Sequence, residues 1–122
     1  PLSSMAPTLV FRPEGRPWIA TGSPGGSRIL TTVAQVLLNR LVHGRNLATA
    51  VAAPRVHSQL WPDVLSYEEG ISPDTLRLLE AMGHQLRLTP AMGAAHSVEV
   101  LEGGGSAAAL DPRRPGAAAA AE

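Results

Sequence analysis

The stretch Gly22-Ser23-Pro24-Gly25-Gly26-Ser27-Arg28-Ile29 constrains this chain more than any other. Just before it, Trp18-Ile19-Ala20-Thr21 reads as a strand. Just after it, Ile29, Val33, Val36, Leu37 and Leu41 recur at three- and four-residue intervals, the spacing of a buried helix face. The glycines therefore end one element and open the next. Gly25 and Gly26 permit backbone angles that set successive N–H groups on one side of the chain, where the positive end of the following helix adds to them. Such a turn can hold a carboxylate, a phosphate or the oxyanion of a tetrahedral intermediate, or it can be a strand-to-helix turn and nothing more. It is not a Walker A loop, which needs a lysine, and its glycine spacing is not the dinucleotide fingerprint.

Thr8-Leu9-Val10-Phe11 is a second strand, and the turn residues Pro13-Glu14-Gly15-Arg16-Pro17 make it a hairpin partner of the first. The long helix is expected to run to about Val42 or His43, with Gly44 as its stop. Asn46 can cap a shorter helix with Leu47, Ala50 and Val51 facing inward and Pro54 ending it. Ser72-Pro73-Asp74 opens another, a capping hydroxyl followed by proline in the first turn. Leu76, Leu79 and Met82 form its inner side, and Gly83 ends it. Residues 84–89 and 96–101 alternate in the same style, which predicts that they pair. Ser106-Ala107-Ala108-Ala109-Leu110 reads as a weak last strand before the turn Asp111-Pro112-Arg113-Arg114-Pro115-Gly116. Strands, then helices, then strands give an α+β class, with residues 1–116 as one portion and 117–122 as an alanine-rich tail.

Ten arginines and no lysine balance ten acidic residues, so the field that nucleic-acid binding requires is absent. No run approaches the roughly 20 apolar residues of a membrane span, and the first residues lack a signal peptide's form. Aromatic residues are only 3% of the 122, so a core must be built from Leu, Val, Ile and Ala. With no cysteine, disulfide and thiolate chemistry are excluded.

Ser3 and Ser4 are adjacent hydroxyls that can donate to an anion, but neither has a histidine nearby in sequence. His43, His57, His84 and His96 are widely spaced and no carboxylate accompanies them at metal-ligand spacing, so neither metal nor cofactor is implied. Arg55, in "AAPRVHSQ", is placed in a partly buried corner, and a buried arginine needs a carboxylate, for which Asp111 is one candidate. Glu68-Glu69 reads as a solvated turn.

Taken in order, "PLSSMAPTLV", "TGSPGGSRI", "NLATAVAAPRVHSQ", "MGHQL" and "ALDPRRPGAAA" resemble the small subunit of a gamma-glutamyltransferase (gamma-glutamyltranspeptidase) without that subunit's beginning. The resemblance covers nearly the whole chain. It implies an N-terminal-nucleophile hydrolase, a four-layer αββα sandwich whose precursor cleaves itself into a large and a small subunit. In that family an N-terminal threonine attacks the gamma-carbonyl of a donor such as glutathione, and the gamma-glutamyl group passes to an amino acid, a peptide or water. By resemblance, Ser3 and Ser4 hold the donor's alpha-carboxylate, and Gly25 and Gly26 supply the oxyanion-hole N–H groups. By resemblance the nucleophilic threonine lies well upstream of the serine pair, so no position of this chain corresponds to it, and threonines such as Thr8, Thr21, Thr31 and Thr32 are internal. The implied partners are a gamma-glutamyl small molecule, the large subunit and the segment bearing the nucleophile. Without them the chain is expected to be inactive and to leave apolar strand faces that another polypeptide covers. No nucleic acid or membrane contact is implied, and the resemblance points to a periplasmic or extracellular location. Two alternatives stand beside this one: a related acylase acting on cephalosporins or poly-gamma-glutamate, and a non-catalytic interaction module.

Overall fold

The computed structural model describes residues 4–114. Its elements are β1 (Thr8–Phe11), β2 (Pro17–Gly22), a 3-10 turn (Gly26–Arg28), α1 (Ile29–Leu41), α2 (Leu47–Ala52), β3 (Val56–His57), β4 (Leu65–Tyr67), α3 (Pro73–Ala81), β5 (Leu86–Leu88), β6 (His96–Val100) and β7 (Ser106–Ala109). They form two compact units, one running to Ala53 and resuming at Gly93, the other Pro54–Met92. The class is α+β, as expected.

In the first unit the strands form an antiparallel sheet in the order β1-β2-β6-β7. The expected hairpin pairs Val10 with Ile19 and Thr8 with Thr21. Alternation along β6 buries Ser97 and Glu99 while His96, Val98 and Val100 face out. Beneath the sheet Ile19, Val36, Leu47, Val51, Ala95 and Ala109 form the core, with Val10, Trp18 and Leu37 packed against it. Each fully buried valine, leucine or isoleucine contributes about 1.5–3 kcal/mol relative to an exposed one. The Asn46 cap forms as expected, its Oδ1 accepting from the Thr49 N–H at 2.8 Å. Gly44 follows α1 with a φ of 65°, the left-handed angle of a helix stop.

The buried face of α1 differs from expectation at one end. Ile29, Thr32, Val33 and Val36 are buried, whereas Leu41 is 40% exposed. At about 100° per residue Leu41 has turned about 120° from Ile29, while Thr32 stays within about 60° of it.

The outer face of the same sheet carries Leu9, Phe11, Val98 and Val100, all exposed. A concavity of about 760 Å³ lies there, lined by Leu9, Ala20, His96, Val98, Ala108 and others. Among the described residues β1 and β7 are the edge strands of this sheet.

The second unit holds the sheet β3-β4-β5, antiparallel between β3 and β4 and parallel between β4 and β5, with α3 as the crossover. This corrects the expected pairing of residues 84–89 with 96–101: β5 lies on β4, and β6 lies between β2 and β7. Alternation determines which face a side chain occupies but not which strand lies beside it. In α3, Leu76 and Leu79 are half-buried, but Met82 is 75% exposed at the helix end. Pro73 sits in the first turn as expected, but the Ser72 hydroxyl makes no capping bond. Its backbone oxygen accepts from the Leu76 N–H instead, and Asp74 brings negative charge to the helix start. Glu68, expected in a solvated turn with Glu69, is instead buried at 5% exposure, and of the two only Glu69 is exposed. Among the described residues no helix is long and apolar enough to cross a membrane. The proposed tail, residues 117–122, lies outside the described residues.

Candidate functional site

β2 delivers the chain to Gly22, and Pro24, with no N–H, cannot continue the ladder. Gly25 then adopts a φ of 140° and Gly26 a φ of 59° before the 3-10 turn leads into α1. A β-carbon on Gly25 would lie 3.5 Å from the Gly93 Cα, an ordinary contact, so this glycine answers to its angle and not to crowding. Around Gly26 a β-carbon would meet nothing within 4 Å. That position needs glycine for its angle alone.

Both glycine peptide units are held by their carbonyls. The Gly25 oxygen accepts from the Arg28 N–H at 3.1 Å, and the Pro24 oxygen accepts from the Ser23 hydroxyl at 2.7 Å. Ser23 Oγ in turn accepts from the Ala94 N–H at 3.0 Å. The N–H groups of Gly25 and Gly26 have no hydrogen-bond acceptor among the described residues. They stand at the start of a 13-residue helix with no acidic residue in its first turn, so its positive end is uncompensated. Chemically, this is a place for an oxygen that carries or acquires negative charge.

Ser4 is half-buried, and Ser3 lies outside the described residues. The hairpin register runs the segment before Thr8 alongside the segment after Thr21, and the Pro7 Cα is 4.0 Å from where a Gly22 β-carbon would sit. The Ser4 segment and the glycine turn thus leave the sheet at the same end.

Asp111 and Arg55 belong to different units. Asp111 is 1% exposed and accepts from the Ala95 N–H at 2.7 Å and from the backbone and guanidinium of Arg113, each at 3.0 Å. Arg113 also donates to the carbonyls of Val51 (3.2 Å) and Ala53 (2.8 Å), closing the C-terminal end of α2. Arg55, 2% exposed, donates from its guanidinium to the Met92 carbonyl at 2.6 Å. Its backbone N–H goes to the Glu68 carboxylate at 2.9 Å, and the same carboxylate accepts from the Met92 N–H. Glu68 is therefore a buried acceptor of backbone N–H groups, which explains why it does not face solvent.

The histidines do not gather. His57 is buried with its Nε2 3.2 Å from the Gln59 amide oxygen, while His43, His84 and His96 are exposed. Among the described residues no three His, Asp or Glu side chains could hold a metal ion.

At the opposite end of β2, Trp18 donates to Glu99 at 2.8 Å, and Arg40 from α1 grips the same carboxylate with its Nε at 2.9 Å. The Arg12 guanidinium stacks 4.6 Å from the Trp18 ring centre. The Arg40 hydrogen bond, helped by Trp18 and opposed by burial, holds the Glu99 carboxyl below its ordinary range. The same bond raises Arg40. This cluster ties hairpin, helix and β6 together and is structural.

Sequence reasoning missed Ser23, Gly93, Ala94 and Arg113. The first three carried only a "GS" and an "AMGAA" as signals, and Arg113 was visible only as a turn residue.

A family model described as gamma-glutamyltranspeptidase matches residues 1–121. The "Glutathione hydrolase proenzyme" of Escherichia coli (strain K12) is 52% identical over 113 residues, 93% of this chain and 19% of its own length. Among solved structures, an acivicin-inhibited gamma-glutamyltranspeptidase superposes with a TM-score of 0.89 at 41% identity, over 94% of this chain and 63% of the other. The gamma-glutamyltranspeptidase of Pseudomonas nitroreducens complexed with L-DON gives a TM-score of 0.87 at 37% identity, over 99% of this chain and 64% of the other. The chain spans about a fifth of that curated relative (19%) and just under two thirds of these solved chains.

Proposed function

The chain belongs to the gamma-glutamyltranspeptidase family and has its N-terminal-nucleophile hydrolase fold, and we propose that it forms the oxyanion-stabilising and donor-binding side of a gamma-glutamyltransferase/glutathione hydrolase site. The observation that carries this reading is the pair of N–H groups on Gly25 and Gly26, at the head of α1, that have no acceptor among the described residues.

In this reading a threonine hydroxyl, supplied from outside these 122 residues, attacks the gamma-carbonyl carbon of a glutathione-like donor. The new C–O bond pushes the carbonyl electrons onto oxygen, and the Gly25 and Gly26 N–H groups hold that negative charge. When the carbonyl re-forms, the C–N bond breaks, and the amine leaves with the proton taken from the threonine. An amino acid, a peptide or water then attacks the ester through the same oxyanion and regenerates the hydroxyl.

Ser3 and Ser4 hold the donor's alpha-carboxylate, and the departure of the Ser4 segment from the glycine-turn end of the sheet supports this. Arg55 and Asp111 are structural residues, a reading their burial supports. Residues 1–116 are one portion of the small subunit and 117–122 its tail. The exposed apolar face of the first sheet takes another layer of the enzyme, contributed by the large subunit or the nucleophile-bearing segment. A location outside the cytoplasm belongs to the same reading and rests on family membership.

The test is Gly26→Val in the full-length protein, assayed with gamma-glutamyl-p-nitroanilide. A β-branched residue is excluded from the left-handed angle at Gly26, and its side chain enters the open space beside the N–H pair. Turnover should fall by about 10²-fold, the scale of losing one oxyanion donor. Unchanged kinetics would remove the assignment and leave a binding module.

A further inference from the structure

An N–H group can be aimed only by fixing its peptide plane, because in a trans unit it points opposite to the carbonyl bonded to the same amide. Among the described residues the only cis bond is Trp61–Pro62, so the Pro24–Gly25 and Gly25–Gly26 units are trans. The Gly26 N–H shares its plane with the Gly25 carbonyl, which the Arg28 backbone holds. The Gly25 N–H shares its plane with the Pro24 carbonyl, and a side chain, the Ser23 hydroxyl, holds that one at 2.7 Å.

We propose that Ser23 is a positioning residue for gamma-glutamyl transfer, fixing and polarising the Pro24–Gly25 peptide so that the Gly25 N–H meets the oxyanion. The inference rests on reading the glycine turn as an oxyanion hole. Ser23 serves as the middle of a relay: the Ala94 N–H donates to its oxygen, its own proton goes to the Pro24 carbonyl, and the amide beyond carries the Gly25 N–H. Each bond in such a chain strengthens the next, and drawing electron density onto the Pro24 oxygen makes the Gly25 N–H a better donor. The hydroxyl is also confined. A β-carbon on Gly93 would lie 2.8 Å from the Ser23 oxygen, so the backbone at Gly93 packs closely beside it. Ser23 touches no substrate in this role and takes part in no covalent step.

Ser23→Ala and Ser23→Thr in the full-length protein test the proposal, with gamma-glutamyl-p-nitroanilide as donor. The alanine variant should lose about tenfold in kcat, less than the ~10²–10³ of removing an oxyanion donor outright, with KM within about twofold. The threonine variant, which keeps the hydroxyl, should recover to within about threefold of the parent. A merely structural serine would not produce that division between kcat and KM. An alanine variant with unchanged kcat, a threonine variant as slow as alanine, or a loss confined to KM each overturns the proposal. So does a kcat loss that vanishes when rates are expressed per folded molecule. If Ser23→Ala fails to fold, Ser23→Cys, similar in shape and a weak donor, is read by the same criteria.

The two readings fail separately. Slow Gly26→Val with unchanged Ser23→Ala removes only the role of Ser23. Parental rates in both variants, or no donor turnover by the parent protein, remove the oxyanion reading itself.

Discussion

Gly93 stands so close to Ser23 that a β-carbon on the glycine would lie 2.8 Å from the serine oxygen, and equally 2.8 Å from the hydroxyl oxygen of Thr32. Both neighbours hang from short side chains that cannot move far, and Gly93 also has a φ of 68°. Gly93→Ala should therefore cost about 2–3 kcal/mol of stability, from overpacking and angle strain together. Denaturant unfolding would show it as a lower midpoint with an unchanged slope. Turnover should fall as well, because displacing Gly93 moves the Ala94 N–H away from Ser23.

Arg113 answers a buried carboxylate on one side and the end of α2 on the other. Arg113→Met keeps much of the apolar stem but takes that guanidinium away from the Asp111 charge and from the Val51 and Ala53 carbonyls. The expected loss is about 3 kcal/mol. Arg113→Lys should recover only part of it, since an ammonium cannot reach carboxylate and carbonyls in one planar fork. Thermal unfolding of the two variants side by side checks the order.

The Glu99–Arg40 pair gives stability a pH dependence of definite sign. Glu99 is held below the ordinary range of a carboxyl group, first by the Arg40 hydrogen bond. A depressed carboxyl contributes stability that is complete above the unfolded value and lost as pH falls through the lower folded value. Arg40 stays charged throughout. Unfolding free energy should thus drop below about pH 4.5, and Glu99→Gln should flatten that part of the profile while lowering stability at neutral pH by about 2 kcal/mol. An acid limb as steep in Glu99→Gln as in the parent would assign the acid sensitivity to other carboxylates.

Asn46→Ala removes the acceptor for the Thr49 N–H at the start of α2. It should cost about 1 kcal/mol, the ordinary worth of a helix N-cap. A shift much larger than this in equilibrium unfolding would mean that Asn46 does more than cap.

The hairpin, α1, the Asn46 cap and the α3 start were legible because each is written locally, in turn residues or in helical spacing. β3 and β4 were not, since two and three residues carry no measurable alternation. The partner of β5 was misread for a different reason: alternation in residues 84–89 and 96–101 is a local property, while pairing is decided by what else reaches the same edge. At the candidate site the two glycines stood out in sequence, yet their support did not. Gly93 and Ala94 lie far along the chain from Ser23, and an alanine's N–H is chemically silent in sequence. Glu68 was misjudged because a carboxylate beside another reads as solvent-facing, whereas its role is to accept two backbone N–H groups.

β6 lies in the middle of the first sheet, and its Glu99 bonds Trp18 from 81 residues away. On a ribosome the hairpin and α1 emerge long before β6 exists, and at about 5–20 residues per second they wait several seconds with one flank of β2 bare. Such distant pairings also close slowly. Gly93 and Ala94 arrive in that same late portion of the chain, so the glycine turn is made early and braced late. A nascent chain interrupted between the two would carry both glycines and the helix behind them, but the hydroxyl of Ser23 would have lost one side of its relay.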